Sequence, residues 1–460
     1  MDTSPRWIDE FLRPVPRYTS YPTALNFGSA VTGEDYLARL DQVATRDDDS
    51  LAVYMHFPFC EKRCAYCACT VISTPRQDVG DQYLGYLKRE IDLIPEPLRH
   101  RCQVSRVHLG GGTPTFHSPD PLAHLLDHFR SRFDLLPDAE MSVEVDPRVT
   151  SREHLSVLRA AGFNRLSIGV QDFDPDVQVA IGRIQSEQQT RDVLEASRSL
   201  GYYSVNFDLV YGLPTQTPDK FRRTLKSVAN MRPDRIAIYG YAHLPSINAH
   251  QRKIDDGSLV TGEDRWFLAK TAREELTSAG YVAVGLDHFA LPEDSLAIAS
   301  GMGELTRDFM GYTTHRSKQM IGLGVSAIGE IGGMFAQNTK KLSTYREAID
   351  AGRLPFERGY LLTKSDKIRQ DLIHRLMCQF ELSFESFDRR HNLRFEDYFA
   401  TELADLSKPG GWIDEGMVEL ADRRLAVKKP GRIFVRNICS VFDEYHRDRV
   451  LEGRSMSSAV

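Results

Sequence analysis

The sequence predicts an α/β protein: a partial (β/α) barrel of parallel strands, preceded by an N-terminal arm and followed by a smaller, mostly helical C-terminal domain. Three observations predict it. Short apolar runs alternate with longer segments whose apolar residues return every three or four positions, and strands that alternate with helices pair in parallel through crossover helices. The strand rhythm fades after about residue 350, where amphipathic helical patterns take over. At 460 residues the chain exceeds the size at which one core keeps growing, so a large domain with a smaller companion is expected. The expected division is an arm at 1–45 covering the barrel mouth, a barrel at 46–350 and a C-terminal domain at 351–460.

Taken in order, the first 45 residues, with PRYTSYPT at 16–23, read as an irregular arm. The expected strands are LAVYMHF from Leu51, VSRVHLG from Val104, MSVEVD from Met141, RLSIGV from Arg165, VNFDLVYGL from Val205 and RIAIYGYA from Arg235. Between them, PLAHLLDHFRSRFDLL from Pro121, HLSVLRAAGF from His154 and KFRRTLKSVANM from Lys220 carry helical periodicity. Six such units make most of a barrel, and YVAVGLDHFA from Tyr281 is a candidate for a further strand. Chemistry in such barrels sits at the C-terminal ends of the strands, so HFPFC, GGGTPT, EVDPR, GVQDF, DLVYGLP and YAHLP form one candidate rim. Beyond it, KIRQDLIHRLMCQF from Lys367 and FEDYFATELADL from Phe395 are amphipathic helices, and GMVEL, RRLAV and GRIFVRNICSVF suggest a small helix-and-wing element. There is no fixed-period repeat, and charge runs such as RDDD at 46–49 are short.

With 41% hydrophobic and 27% charged residues, the composition is that of a soluble globular protein. No run approaches the roughly 20 apolar residues that span a bilayer, and the start, MDTSPRWIDEFLRP, lacks a basic flank and apolar stretch. A cytoplasmic location with no membrane span is therefore expected. The net charge of −6 argues against a nucleic-acid partner. Seven cysteines are too few for a disulfide scaffold, and four fall between 60 and 69, which points to a metal in a reducing compartment. Cys102, Cys378 and Cys439 read as buried, inert thiols.

The cysteine segment is FCEKRCAYCAC, C-x3-C-x2-C-x-C at Cys60, Cys64, Cys67 and Cys69. Three thiolates on a short loop hold three corners of a 4Fe-4S cluster and leave the fourth iron open to an external ligand. S-adenosylmethionine can chelate that iron through its amino and carboxylate groups. The alternative is a structural zinc ion held by all four thiolates, but Cys67 and Cys69 are closer together than the usual C-x2-4-C hook.

With these motifs in place, the chain resembles the radical S-adenosylmethionine (SAM) superfamily and, within it, the oxygen-independent coproporphyrinogen III oxidases. The resemblance runs almost end to end, through PRYTSYPT, YMHFPFCEKRCAYCAC, HLGGGTPT, EVDPR, NRLSIGVQDF, DLVYGLPTQT, YAHLP, LDHFA, GYTT, GVSAIG and GRIFVRNIC. It implies a radical SAM barrel in which Cys60, Cys64 and Cys67 hold the cluster. It also implies that Tyr54, Tyr66, Gly111, Gly112, Thr113, Glu144, Gln171, Arg183, Asp208, Ala242 and Ile328 contact S-adenosylmethionine, two molecules of it. Cys69 matches the true oxidases, where haem-chaperone relatives generally carry phenylalanine, and is expected to act near cofactor or substrate; Ala68 departs from the glycine of many oxidases.

The residues carry readings of their own. Glycines 110–112 remove side chains from a strand exit, so that backbone can approach a ligand; a plain tight turn is the alternative. Glu144, near a strand end, could accept hydrogen bonds from an amino or hydroxyl group, or simply be solvated there. Tyr54 and His56 share one face of the first strand, since side chains alternate, and His56 is placed to tune the cluster or its neighbours.

The activity implied is conversion of two propionates of coproporphyrinogen III to vinyl groups, giving protoporphyrinogen IX, through a 5′-deoxyadenosyl radical. A haem-binding radical SAM relative, chaperone or haem-modifying enzyme, is the other functional reading. The implied partners are coproporphyrinogen III and a one-electron donor such as flavodoxin or ferredoxin, with the protein itself a monomer. Four substrate carboxylates call for basic groups at the mouth, with Arg17, Arg252 and Lys253 as candidates, and the arm is placed to exclude water and oxygen.

Overall fold

A computed structural model describes residues 15–44, 50–315, 317 and 319–446. The arm's first 14 residues, the RDDD run at 46–49 and the tail from 447 lie outside the described residues. The six expected apolar runs become β1 (Leu51–Phe57), β2 (Val104–Gly111), β3 (Leu135–Val145), β4 (Arg165–Gln171), β5 (Ser204–Tyr211) and β6 (Arg235–Gly240). They lie side by side, all parallel, in chain order. Strands covered on both faces read as continuous apolar runs, and every residue of β1 except Tyr54 is buried.

YVAVGLDHFA supplies two short strands instead of one more parallel strand. β7 (Val282–Val284) and β8 (His288–Ala290) form a hairpin, and β8 runs antiparallel to β6. The seventh parallel strand is β9 (Gln319–Leu323), which sits on the other side of β1 with Leu51 opposite Gln319 and Met55 opposite Leu323. Three antiparallel strands extend that edge: β10 (Ile328–Ile331), β11 (Met334–Asn338) and β12 (Phe356–Leu361). The order β12-β11-β10-β9-β1-β2-β3-β4-β5-β6-β8-β7 is linear, so the barrel is partial. β12 lies beyond residue 350, where the strand rhythm was expected to end; as an edge strand reading FERGYL, with Glu357 and Arg358 adjacent at its start, it leaves no apolar run.

The arm is not irregular throughout. α1 (Gly33–Val43) starts at a capping box, in which the Thr32 hydroxyl accepts from Asp35 N and the Asp35 carboxylate accepts from Thr32 N, and it buries Tyr36, Leu40 and Val43 against the sheet. Crossover helices follow: α2 (Gln77–Leu93), α3 (Pro119–Arg132), α4 (Arg152–Ala160), α5 (Glu187–Ser199), α6 (Pro218–Met231) and α7 (Gly262–Ser278). Core side chains such as Phe57 and Phe207, both 0% exposed, stabilise the layers by about 1.5–3 kcal/mol each.

In the C-terminal region α8 (Lys364–Gln379) packs on a small antiparallel sheet of Glu381–Ser383, Arg424–Val427 and Val418–Ala421. FEDYFATELADL breaks at Phe399 into Phe395–Tyr398 and Ala400–Leu406, and α9 (Val435–Ser440) closes the fold. Tyr18 and Tyr21 of the arm belong to this second core. Among the described residues no helix is long and apolar enough to cross a membrane.

Candidate functional site

The C-terminal ends of the parallel strands surround two adjoining cavities. The first, of about 620 Å³, is lined by all four clustered cysteines, Tyr66, Gly111, Gly112, Thr113, Glu144, Gln171, Arg183, Asp208 and Ala242. The second, of about 480 Å³, is lined by Tyr54, His56, Glu144 and Ile328. Arg17, Glu144, Tyr239 and Gly240 face both. The expected site residues are thus divided between two spaces, with Glu144 at the junction. Arg252 and Lys253 line neither; the turn Ala249–Lys253 buries Gln251 and leaves both cations in solvent, so they are not at the mouth.

The cysteine loop leaves β1 and is held from several sides. Ala65 N donates to Ile181 O at 2.9 Å, and His250 Nε2 lies 2.5 Å from Cys67 O. Gln251 Nε2 donates to Tyr66 O and Ala242 O, both at 3.1 Å. Thr113 Oγ1 is 3.3 Å from Cys60 Sγ, and Arg148 and Arg183 each place a guanidinium nitrogen 3.8 Å from Cys64 Sγ. Arg183 is fixed by Asp146 at 2.8 Å and Gly169 O at 2.7 Å, and Arg148 by Asp146 at 2.6 Å. Burial pushes the Cys60 thiol up to about 11, whereas a hydrogen bond from the Cys69 thiol draws that of Cys67 down.

Soft thiols facing one cavity, with two cations beside the middle thiol, suit an iron-sulfur cluster. Among the described residues no three Cys, His, Asp or Glu side chains converge closely enough for one metal ion.

The glycines at the exit of β2 answer to the protein's own packing. An added Cβ on Gly112 would lie 2.7 Å from Phe59 O and 2.8 Å from Phe57 O, and Gly112 N already donates to Phe57 O at 2.7 Å. On Gly111, at φ 112°, a Cβ would enter the His56 ring. This exit is pressed against the first turn of the cysteine loop.

Glu144 accepts from Gly111 N at 3.1 Å and lies 3.2 Å from His108 Nε2. Burial opposes its charge, but His108 and the Gly111 N–H hold the carboxyl below its usual range. Burial raises Asp208 to about 6 although Ser167 donates to it at 2.6 Å, and the charge of Glu144 adds to the rise. His56 is buried, so it is held neutral; its Nδ1 is 2.9 Å from Tyr54 Oη and its Nε2 3.0 Å from Thr70 O, beside Cys69. Thr70 O can only accept, so Nε2 carries the proton and the Tyr54 hydroxyl donates to Nδ1. Gln171 ends β4 in the left-handed region at φ 69°, turned into the first cavity.

Asp146, Arg148, His108 and Tyr239 were not singled out from sequence. The first two stand in EVDPR, two and four residues beyond Glu144, where alternation would have placed them on the same face.

Residues 54–228 match the Radical SAM superfamily and residues 362–434 the HemN C-terminal domain. The oxygen-independent coproporphyrinogen III oxidase of Escherichia coli (strain K12) is 44% identical over 437 residues, covering 94% of this chain and 93% of the relative. That of Pseudomonas aeruginosa is 40% identical over 446 residues, 96% of each chain. The solved structure described as "Coproporphyrinogen III oxidase (HemN) from Escherichia coli is a Radical SAM enzyme" superposes with a TM-score of 0.88 at 41% identity, covering 94% of this chain and all of that one.

Proposed function

The chain belongs to the oxygen-independent coproporphyrinogen III oxidases, and on that premise we propose that it turns two propionates of coproporphyrinogen III into vinyl groups, yielding protoporphyrinogen IX for haem synthesis. The observation that carries the reading is the pair of adjoining cavities: one faced by Cys60, Cys64 and Cys67, the other sharing Glu144 with it and reached from beneath the arm. When bound, the cluster and S-adenosylmethionine supply the one-electron chemistry that removes a hydrogen atom from each reacting propionate, which then loses carbon dioxide and an electron.

Cys60, Cys64 and Cys67 hold the cluster, and Arg148 and Arg183 offset thiolate charge at Cys64. Glu144 stays ionised and accepts from amino or hydroxyl groups of the cofactor. Tyr66, Gly111, Gly112, Thr113, Gln171, Arg183, Asp208 and Ala242 serve a cofactor molecule beside the cysteine loop, and Tyr54 and Ile328 serve a second; the division of these residues between two cavities supports two molecules. His56 is a positioning residue that fixes the loop's far end through Thr70 O. Cys69, in the cluster cavity, acts on cofactor or substrate. Arg17 reaches over the mouth to Gly240 O at 2.7 Å, where the arm keeps out water and oxygen.

The reading extends to a monomer in the cytoplasm fed by a one-electron donor such as flavodoxin or ferredoxin. The test is an anaerobic assay of the cluster-reconstituted, reduced protein with S-adenosylmethionine and coproporphyrinogen III, following 5′-deoxyadenosine and porphyrin mass. Loss of two carboxyl groups coupled to 5′-deoxyadenosine is expected. Cofactor cleavage with every carboxylate retained would overturn the oxidase reading in favour of a haem-handling relative.

A further inference from the structure

Cations outnumber carboxylates in the lining of the second cavity. Five cations line it, Arg17, Arg273, Arg307, Lys340 and Arg436, against two carboxylates, Glu144 and Asp287. Glu144 is engaged by His108 and Gly111 N, and Asp287 lies 2.7 Å from His288 Nδ1. Burial opposes the charge of Asp287, yet His288, Arg307 and Arg17 hold its carboxyl down to about 2. That leaves the cations in excess.

Arg17, Arg307 and Arg436 are each oriented by a backbone oxygen. Arg436, on α9 and 5% exposed, donates through Nε to Pro16 O at 3.0 Å and through Nη2 to Val15 O at 2.6 Å. Arg307 donates to Arg17 O at 3.4 Å and stands 5.0 Å over the Tyr312 ring; its Nε is buried without a hydrogen-bond partner. Burial, with Arg17 and Arg307 as neighbours, lowers Arg436 to about 10. Arg17 and Arg307 beside a buried Arg436 oppose its charge, so an anion entering between them relieves the repulsion. Bidentate geometry suits guanidinium to carboxylate.

We propose that Arg307 and Arg436, with Arg17 and Lys340 at the rim, form a carboxylate receptor for the propionates of the substrate that are not under attack. Barrel, N-terminal arm and C-terminal domain each supply one of its guanidiniums, and none of the three alone contains it. The inference rests on the oxidase reading and gives that site its means of selecting a ring with several carboxylates.

The probe is oxidised coproporphyrin III, a fluorescent tetracarboxylate that cannot react, titrated into full-length, cluster-loaded protein at two salt concentrations. Arg307→Gln is expected to weaken binding about tenfold or more and to flatten the salt dependence. Arg307→Lys restores part of both. KM for coproporphyrinogen III rises further than kcat falls, and iron content is unchanged. Lys340→Gln, at an exposed position that folding tolerates, weakens binding about threefold. Parent-like binding by Arg307→Gln, or by Lys340→Gln should the former not fold, overturns the receptor while leaving the oxidase reading intact. A parent protein that neither binds the porphyrin nor decarboxylates the substrate would instead remove that reading.

Discussion

Cys69 distinguishes a three-thiolate loop from a four-thiolate one. Its carbonyl accepts from Arg63 at 2.9 Å while its thiol hydrogen-bonds Cys67, so it lies beside the ligands as a neighbour. Cys69→Ser is therefore expected to keep close to the parent's iron and acid-labile sulfide while losing most turnover, whereas Cys67→Ser loses the metal; iron and sulfide analysis of anaerobically prepared protein separates them. Gly112→Ala forces a methyl into Phe57 O and Phe59 O, backbone that leads into the cysteine loop. A cost of about 1–3 kcal/mol in stability and a marked fall in iron content are expected, read by thermal unfolding and metal analysis. At this scale the cysteines were legible because their spacing is local, and Glu144 and Asp208 because they stand near strand ends, whereas Arg183 follows the helix Pro175–Ile181 and was reached only through the resemblance. Arg307 and Arg436 were not, since only folding brings residue 436 against residues 15 and 16.

Among the elements, α2 carries a hidden dependence on pH. Glu90, 1% exposed, accepts from Gly324 N at 2.7 Å, Asn338 Nδ2 at 2.7 Å and Tyr345 Oη at 2.6 Å, pinning the GVSAIG loop that leads to Ile328. Burial raises it from 4.5 to about 7 despite those three donors. The folded state then holds the proton more tightly than the unfolded chain. Stability from this group is fully present below pH 4.5 and is lost as pH rises to about 7, by about 3 kcal/mol. Glu90→Gln is expected to flatten the unfolding free energy between pH 5 and 8, measured by denaturant titration; an unchanged slope would contradict the assignment. The parallel strands and crossover helices were legible from periodicity. α1 was hidden behind the proline-punctuated PRYTSYPT stretch of the arm although its capping box stood in the sequence, and β9 was hidden because five residues ahead of a glycine-rich loop resemble any buried segment.

At the scale of the whole molecule the arm joins two cores. Tyr18 donates to Asp443 at 3.0 Å, Tyr21 Oη accepts from Glu444 N at 3.3 Å, and Arg17, just ahead of Tyr18, crosses to Gly240 on the barrel. Deletion of residues 1–23 is expected to abolish turnover and expose the C-terminal domain to limited proteolysis, with a Tm several degrees lower. Normal turnover by the truncated protein would reduce the arm to a tether. The division into barrel and C-terminal domain was visible as a change of rhythm, but their clasp was not, since it joins the first described residues to the last. A different consequence concerns the order in which the chain is made. β1, which presents the cysteine loop, pairs on one side with β2 and on the other with β9, and Leu51 meets its partner only when residue 319 exists. Until then the nascent barrel has an open flank, and the Asp443 clasp arrives later still. The chain therefore stays unlatched until residue 443 has been made, whatever the state of the strands before it.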